Sequence, residues 1–474
     1  MERTLLFGDG ALDVSLPDET RVLTAPPALP ALDDPAAAVK AALSNPVAHE
    51  PLSKLVGPRS KVTIAFDDLT IPVVPMEAPD FRALIIGIVL DELHRAGVRP
   101  ENVRLIVANA LHRKWTRTEL ATALGPILSL LPPQRLFNHD ACDPEQLVYL
   151  GETERGFEVE VNRAVTESDQ FIYINCTPSP MNGGWKSIVV GMSTFRSIRH
   201  HHRPFPLARG HSIMDPERSA FHKLLAEMGA VVEKELDPNG RRLFSVECVL
   251  NGEIPGKIAG VFAGYTPEVH RETLALLAQQ QTLPVDGQSD VVVWGLPNRD
   301  PYSALSTINP ILVANLACSY TFGLYKRRPL VREGGVAIFA NPVEPAFERH
   351  HRSYPELFNE ILPRTTDPFA IWDEHAEDFA HRPEYVHAYR YQHSFHGAHP
   401  LFLWGQTAFA KRHCSKVILC GGKDPEPVER LGFTWAPSVE DALAIARAEL
   451  GADPSVSLVE MPPVFIPEVR TEGE

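Results

Sequence analysis

Residues 61–68, Lys-Val-Thr-Ile-Ala-Phe-Asp-Asp, form a short apolar run ending in acids, the pattern of a buried strand that opens into a loop. The amphipathic stretch from Phe81 to Ala96 predicts a helix, and Val103 to Asn109 predicts a second strand. A further helix is expected from Thr116, where Thr-x-x-Glu makes a capping box. The alternation continues with strands at 171–175, 244–250 and 258–263 and helices near 219–228 and 267–280. TLPVDGQSD (282–290) has the proline, glycine and aspartate of a linker. The rhythm then restarts with strands at 291–294, 336–340 and 417–420 and a helix at 439–450. This order predicts an α/β fold of two α/β domains with mainly parallel sheets, 1–285 and 286–457.

A length of 474 residues agrees with more than one core. No internal repeat interrupts the pattern. No apolar run reaches the length of a membrane span, and the start MERTLLFGDGALDV lacks the basic opening of a signal peptide, so a cytoplasmic protein with no membrane partner is expected. A formal net charge of -15 argues against nucleic-acid binding, which needs clustered Lys and Arg. Any anionic ligand must be held by a local site. The six cysteines, at 142, 176, 248, 318, 414 and 420, contain no Cys-x-x-Cys pair and read as reduced core residues.

In open α/β sheets ligands sit outside the carboxyl ends of strands. Four loops follow apolar runs, 67–75, 109–116, 175–187 and 295–303, and they are expected to converge. The third contains Asn182-Gly183-Gly184-Trp185-Lys186-Ser187. A nucleoside-triphosphate loop is disfavoured, because Trp185 separates the glycine from Lys186 and the earlier glycine is missing. The two glycines still allow close backbone approach, and Lys186 is either a charge for a phosphate, an amine nucleophile, or a solvated turn lysine. His112 stands at a strand end where a general base would be well placed, or is hydrogen-bonded within its loop. His139 in Phe-Asn-His-Asp-Ala reads as structural, or as a group that its polar neighbours orient for chemistry. His200-His201-His202 is a solvated run or a source of imidazole ligand. Asp67-Asp68-Leu69-Thr70-Ile71-Pro72 is an acidic turn or a loop able to bind ribose hydroxyls.

Taken in order, these pieces resemble the lactate racemase family, whose enzymes carry a nickel-pincer nucleotide. The family's Asp-x-Thr-Arg-Pro, Gly-Thr-His-Arg, Asn-His-Asp and Gly-Gly-Arg-Lys-Ser-Ile segments have counterparts at Asp68 to Pro72, Ala110 to Arg113, Asn138 to Asp140 and Gly183 to Ile188. LGETERGFEVEVNRAVTESD (150–169) and FAGYTPEVHRE (262–272) are also similar. The resemblance implies an active site between the two domains, with the tail 458–474 packed back on the first. It implies Lys186 as covalent tether of the nucleotide, His202 as nickel ligand and His112 as a catalytic base. It implies Asp68, Thr70, Gly183, Gly184 and Ser187 around the cofactor, and cofactor-biosynthesis proteins as partners.

Departures from the family fall on its substrate side. Its second catalytic histidine is Cys176 here, and no histidine occurs between 140 and 199. Its carboxylate-binding arginine is Ile71, a change that removes a bidentate partner. Its Tyr-Gln-x-x-Lys motif is replaced by a stretch beginning Tyr302-Ser303, and LFLWGQ places Trp404 at its tryptophan region. HRPEYVHAYRYQHSFHGAH (381–399) reads as a surface loop, or else supplies replacement histidines. The expectation is a racemase or epimerase of a 2-hydroxy acid other than lactate, larger or sugar-derived. A hydride-exchange reaction with the same cofactor, or a binding protein that has lost catalysis, stays open.

Overall fold

The computed structural model describes residues 1–130, 132–207, 210–240 and 242–471. A six-stranded sheet runs in the order Ile258–Tyr265, Phe244–Leu250, Gln170–Cys176, Val62–Asp67, Val103–Ala108, Leu136–Asn138. All its neighbours are parallel except the first pair. Its strands alternate in period two. Val62, Ile64 and Phe66 enter one apolar cluster while Ala65 enters another, so both faces are covered and the strand reads as continuously apolar. The predicted helices on these faces form at Phe81–Arg95, Arg117–Leu124 and Ala220–Leu236. Thr116 caps the second of them, its hydroxyl accepting from Glu119 N (3.2 Å) while Glu119 accepts from Thr116 N (2.8 Å).

A second six-stranded sheet is wholly parallel, in the order Thr434–Ala436, Lys416–Cys420, Val331–Ala340, Ser289–Gly295, Val456–Val459, Arg21–Leu23. The first residues of the chain therefore leave the expected 1–285 unit. Arg21–Leu23 is an edge strand of the second sheet, and the hairpin Glu2–Phe7 and Gly10–Ser15 buries Leu5 and Val14 against Val291 and Val293. The expected linker also differs: Thr282–Asp286 is a strand paired in parallel with Ile466–Arg470 near the chain's end. The other faces of the two sheets share one core that runs from Ala65 and Tyr173 to Val292, Ala337 and Phe339.

In each sheet the strand order reverses beside a central strand. Val62–Asp67 has later strands on both sides, and so does Ser289–Gly295. The carboxyl ends of these two strands, the topological switch points where α/β sheets bind ligands, open into the same cavity.

Candidate functional site

The cavity has a volume of about 440 Å³ and a largely apolar wall. From the first sheet it receives Asp67, Asp68, Ile71, His112, Gly183, Lys186, Ser187 and His202. From the second it receives Arg299, Tyr302, Tyr320 and Gln406. The four loops singled out in the sequence all reach it.

His112 follows the strand Val103–Ala108, and its loop is tied at several backbone positions. Ala110 N donates to Gly191 O (3.0 Å), the Tyr389 hydroxyl donates to Ala110 O (3.1 Å), and His396 N donates to Leu111 O (3.0 Å). Two of these partners come from the second half of the chain, so closure of the halves fixes this loop. The His112 Nδ1 lies 2.9 Å from Asp68 Oδ2, which also accepts from Trp115 Nε1 (3.2 Å). Asp68 Oδ1 accepts from Thr70 N (3.0 Å) and from the Thr70 hydroxyl. Burial raises the Asp68 pKa, but the charge and hydrogen bond of His112, with the Thr70 bonds, outweigh it and hold the carboxyl below its ordinary value. An ionised Asp68 assigns the Nδ1 proton to His112 and leaves Nε2 as the basic atom. Asp68, braced by Thr70, thus orients His112, and both residues also line the cavity.

Lys186 lies in the one-turn helix Trp185–Val189. The turn before it is built on Gly183 and Gly184, at φ 85° and 56°, where a Cβ would lie 2.8 and 2.6 Å from atoms of the His270 ring. That ring is held by the buried Glu247 through Nδ1 (3.0 Å), and Glu247 also accepts from Gly184 N (2.8 Å) and the Thr177 hydroxyl (3.3 Å). Gly184 itself does not line the cavity; its part is to let the chain pass His270. Trp185 packs on Gly229 of the helix Ala220–Leu236, where a Cβ would lie 2.2 Å from the indole. We expect Gly184→Ala to cost about 1–3 kcal/mol, since both the left-handed backbone and the ring contact oppose it; chemical denaturation measures this, and unchanged stability would show that His270 moves aside at no cost.

Burial pushes the Lys186 amine down to about 8 against the pull of Asp67 and Asp68, and pushes the Asp67 carboxyl up to about 7. Asp67 accepts from Cys176 N (3.0 Å) and from the Tyr173 hydroxyl (3.1 Å). His202 shares a 2.6 Å contact between its Nδ1 and that of His201, which leaves its Nε2 for a further partner. Burial, with His201, Lys186 and His112 nearby, drives its pKa well below the ordinary value and keeps it neutral, the form that binds metals. Among the described residues no group of three or more His, Cys, Asp or Glu could hold a metal. A metal at His202 would need donors from a bound molecule, and the residues present fit a metal-bearing cofactor better than a bare ion.

Three expected site residues are placed elsewhere. The Cys176 side chain is fully buried beside Cys248 on the neighbouring strand, and only its backbone N–H reaches toward the site, because the strand's alternation turns the thiol into the core. Ser303 is buried in a turn, its hydroxyl bonded to Asp300 O and accepting from Asp300 N (both 2.9 Å). Trp404 is fully buried with Lys411 Nζ 4.7 Å over its ring; two residues on, Gln406 reaches the wall and accepts from Ser319 (2.8 Å). Tyr302 does line the cavity and pairs with the Tyr320 hydroxyl at 2.7 Å. Tyr320 is set by a π-helical turn, Leu316–Thr321, a local distortion that often marks functional sites.

His139 is structural: it is buried, with Nε2 2.7 Å from Ser193 O and Nδ1 3.2 Å from Asn162 Nδ2, and burial lowers its pKa to about 4. The region 381–399 is not a surface loop throughout. His396 and His399 are buried, and the His399 ring stands 5.5 Å from that of His112 and 4.6 Å from that of Tyr302. Its Nδ1 lies 2.6 Å from the Tyr354 hydroxyl. Glu247 and His270 were missed as a pair; the signal was an acid in the middle of the apolar run Phe-Ser-Val-Glu-Cys-Val-Leu.

Fold and site define a two-sheet α/β protein with a ligand cleft between its switch points, carrying an aspartate-held histidine and a buried lysine. Residues 7–212 match the lactate racemase N-terminal domain. It is 26% identical over 168 residues to the lactate racemase of Thermoanaerobacterium thermosaccharolyticum, an alignment covering 35% of this chain and 37% of the relative. The match thus spans little more than a third of that enzyme. The structure of the lactate racemase apoprotein from the same organism has a TM-score of 0.69 at 19% identity, covering 99% of this chain and 100% of that one. A Thermotoga maritima protein has a TM-score of 0.56 at 16% identity, over 92% and 98%. At these identities the structural likeness shows the fold.

Proposed function

We propose that this protein is a racemase or epimerase of a 2-hydroxy acid other than lactate, working with a nickel-pincer nucleotide tethered at Lys186. The observation that carries this reading is the Asp68–His112 pair on the same cavity wall as Lys186 and His202. Lys186, with its lowered pKa, would hold the nucleotide covalently, His202 would supply one nitrogen ligand to nickel, and Gly183 and Ser187 would lie against the nucleotide. Such a cofactor, when bound, supplies a reversible acceptor for the hydride at C2 of the substrate. His112 Nε2 takes the hydroxyl proton as C2 is oxidised to the planar 2-oxo stage, and Asp68 holds the resulting imidazolium. The same proton returns to oxygen when C2 is reduced again. Hydride return to C2 after the 2-oxo group has turned its other face in the cavity gives the other stereoisomer.

A second reading, hydride exchange between two substrates, draws on one observation. His112 and His202 are the only histidines on the described cavity wall, and His112 is the only one of the two with a carboxylate partner. Protein produced together with cofactor-biosynthesis enzymes is incubated with single enantiomers of a panel of 2-hydroxy acids. We expect the opposite stereoisomer, nickel in the protein and a mass adduct. Net 2-oxo product without inversion selects hydride exchange; nickel and adduct with no change in any substrate selects a binding protein.

A further inference from the structure

The loss of the arginine at position 71 leaves the proposed substrate's carboxylate without its expected partner. The described wall of the cavity holds two lysine or arginine side chains, Lys186 and Arg299. Lys186 sits at the cofactor end, and under the proposed function its amine is bonded and carries no charge. Arg299 belongs to the loop after the central strand Ser289–Gly295, at the second sheet's switch point. Its flanks are fixed: Asn298 N donates to Gly8 O (3.0 Å) and its side chain bonds Asp9 and Asn341, while the buried Asp300 accepts from Tyr302 N (2.8 Å). Arg299 itself is exposed at the rim of the cavity and makes no hydrogen bond or ion pair with the described residues. A fixed backbone carrying an unpaired guanidinium at the mouth of an apolar cavity is suited to receive a carboxylate bidentately.

Apolar side chains make up much of the same cavity's wall, with Asn251 and Glu253 among them. Ile71, Val73 and Val74 come from the loop after the first central strand, Ile254 from the turn that packs on it, and Val464 from the segment after Val456–Val459. Ile254 and Val464 are large apolar side chains left 53% and 37% exposed, where a ligand's hydrocarbon would cover them. We infer that the substrate is a 2-hydroxy acid with an apolar substituent, whose carboxylate is held by Arg299 and whose substituent lies against Ile71, Val74, Ile254 and Val464. The inference rests on the proposed function for the word hydroxy acid, and replaces the sugar-derived alternative with an aliphatic or aromatic one.

Equilibrium binding tests it independently of turnover. Calorimetric titration of the cofactor-supplied protein with 2-hydroxy-4-methylpentanoate should give affinity about tenfold or more above that for lactate, from the added hydrocarbon. Arg299→Met should weaken binding of the acid about tenfold or more, Arg299→Lys should weaken it less, and the corresponding neutral amide should bind poorly to all three proteins. Nickel content and adduct mass should not change in either variant. Equal binding by Arg299→Met, equal binding of the amide, or a preference for lactate would overturn the inference. If the expected binding pattern is found but no enantiomer is interconverted, the Arg299 site stands and the proposed reaction fails; interconversion with an unchanged KM in Arg299→Met gives the reverse.

Discussion

Lys186→Ala protein, produced with the cofactor-supplying enzymes, is expected to show the unmodified intact mass and no turnover, while the native sequence gains the adduct. The loss should be complete, because no other described lysine lines the cavity. Misfolding is not the expected cause. Burial lowers the amine's pKa from 10.5 to about 8, so the native state resists a proton that the unfolded chain accepts, and below about pH 8 the lysine is a cost to folding that alanine removes. The same shift has a kinetic consequence. A bond-forming amine must be neutral, and near pH 7 a lysine titrating at about 8 has on the order of a hundredfold more neutral amine than an ordinary one. Adduct formation followed by mass should therefore accelerate as pH rises to about 8 and level off above it. A rate still rising tenfold per unit beyond pH 9 would show an unperturbed amine, and an adduct persisting in Lys186→Ala would move the tether to another residue.

Much of this fold is legible in the sequence because its strands and helices carry their pattern locally. The strand Phe244–Leu250 and the helix Val439–Leu450 fall where the apolar spacing puts them. What is not legible is pairing between distant segments. Arg21–Leu23 looks like part of an N-terminal loop, yet it completes the second sheet by pairing with residues Ser457–Val459, more than four hundred positions away. Thr282–Asp286 has the composition of a linker, but Pro284 is tolerated in a strand whose partner lies near the chain's end. The site divides in the same way. Lys186, His112 and His202 stand out as residue types at strand and loop positions, whereas the backing of Gly183 and Gly184 by Glu247 and His270 depends on contacts across more than sixty residues. Cys176 shows the limit of transferring a position: a residue aligned with a catalytic one can have its side chain on the core face of its strand. His399 shows the opposite limit, since a polar, histidine-rich stretch hides a buried ring beside His112.

His112→Gln is expected to lower kcat by about 10²–10⁴-fold with a much smaller change in KM, the range for removing a positioned general base. Intact mass and nickel content should stay as in the native protein, because the His112 loop is held by backbone bonds to Gly191, Tyr389 and His396 that the substitution does not touch. Asp68→Asn tests how the base is held. An amide in place of the carboxylate cannot accept at both oxygens, so it must give up either the contacts at Oδ2 with His112 and Trp115 or those at Oδ1 with Thr70. If the amide nitrogen faces His112, it drives the ring toward the tautomer with its proton on Nε2, which removes the basic atom from the cavity side. The expected result is a loss in kcat approaching that of His112→Gln, and a double variant no worse than about tenfold below the weaker single one, since the two residues act as a unit. Effects that multiply in the double variant would separate Asp68 from His112 and return it to a direct contact with cofactor or substrate.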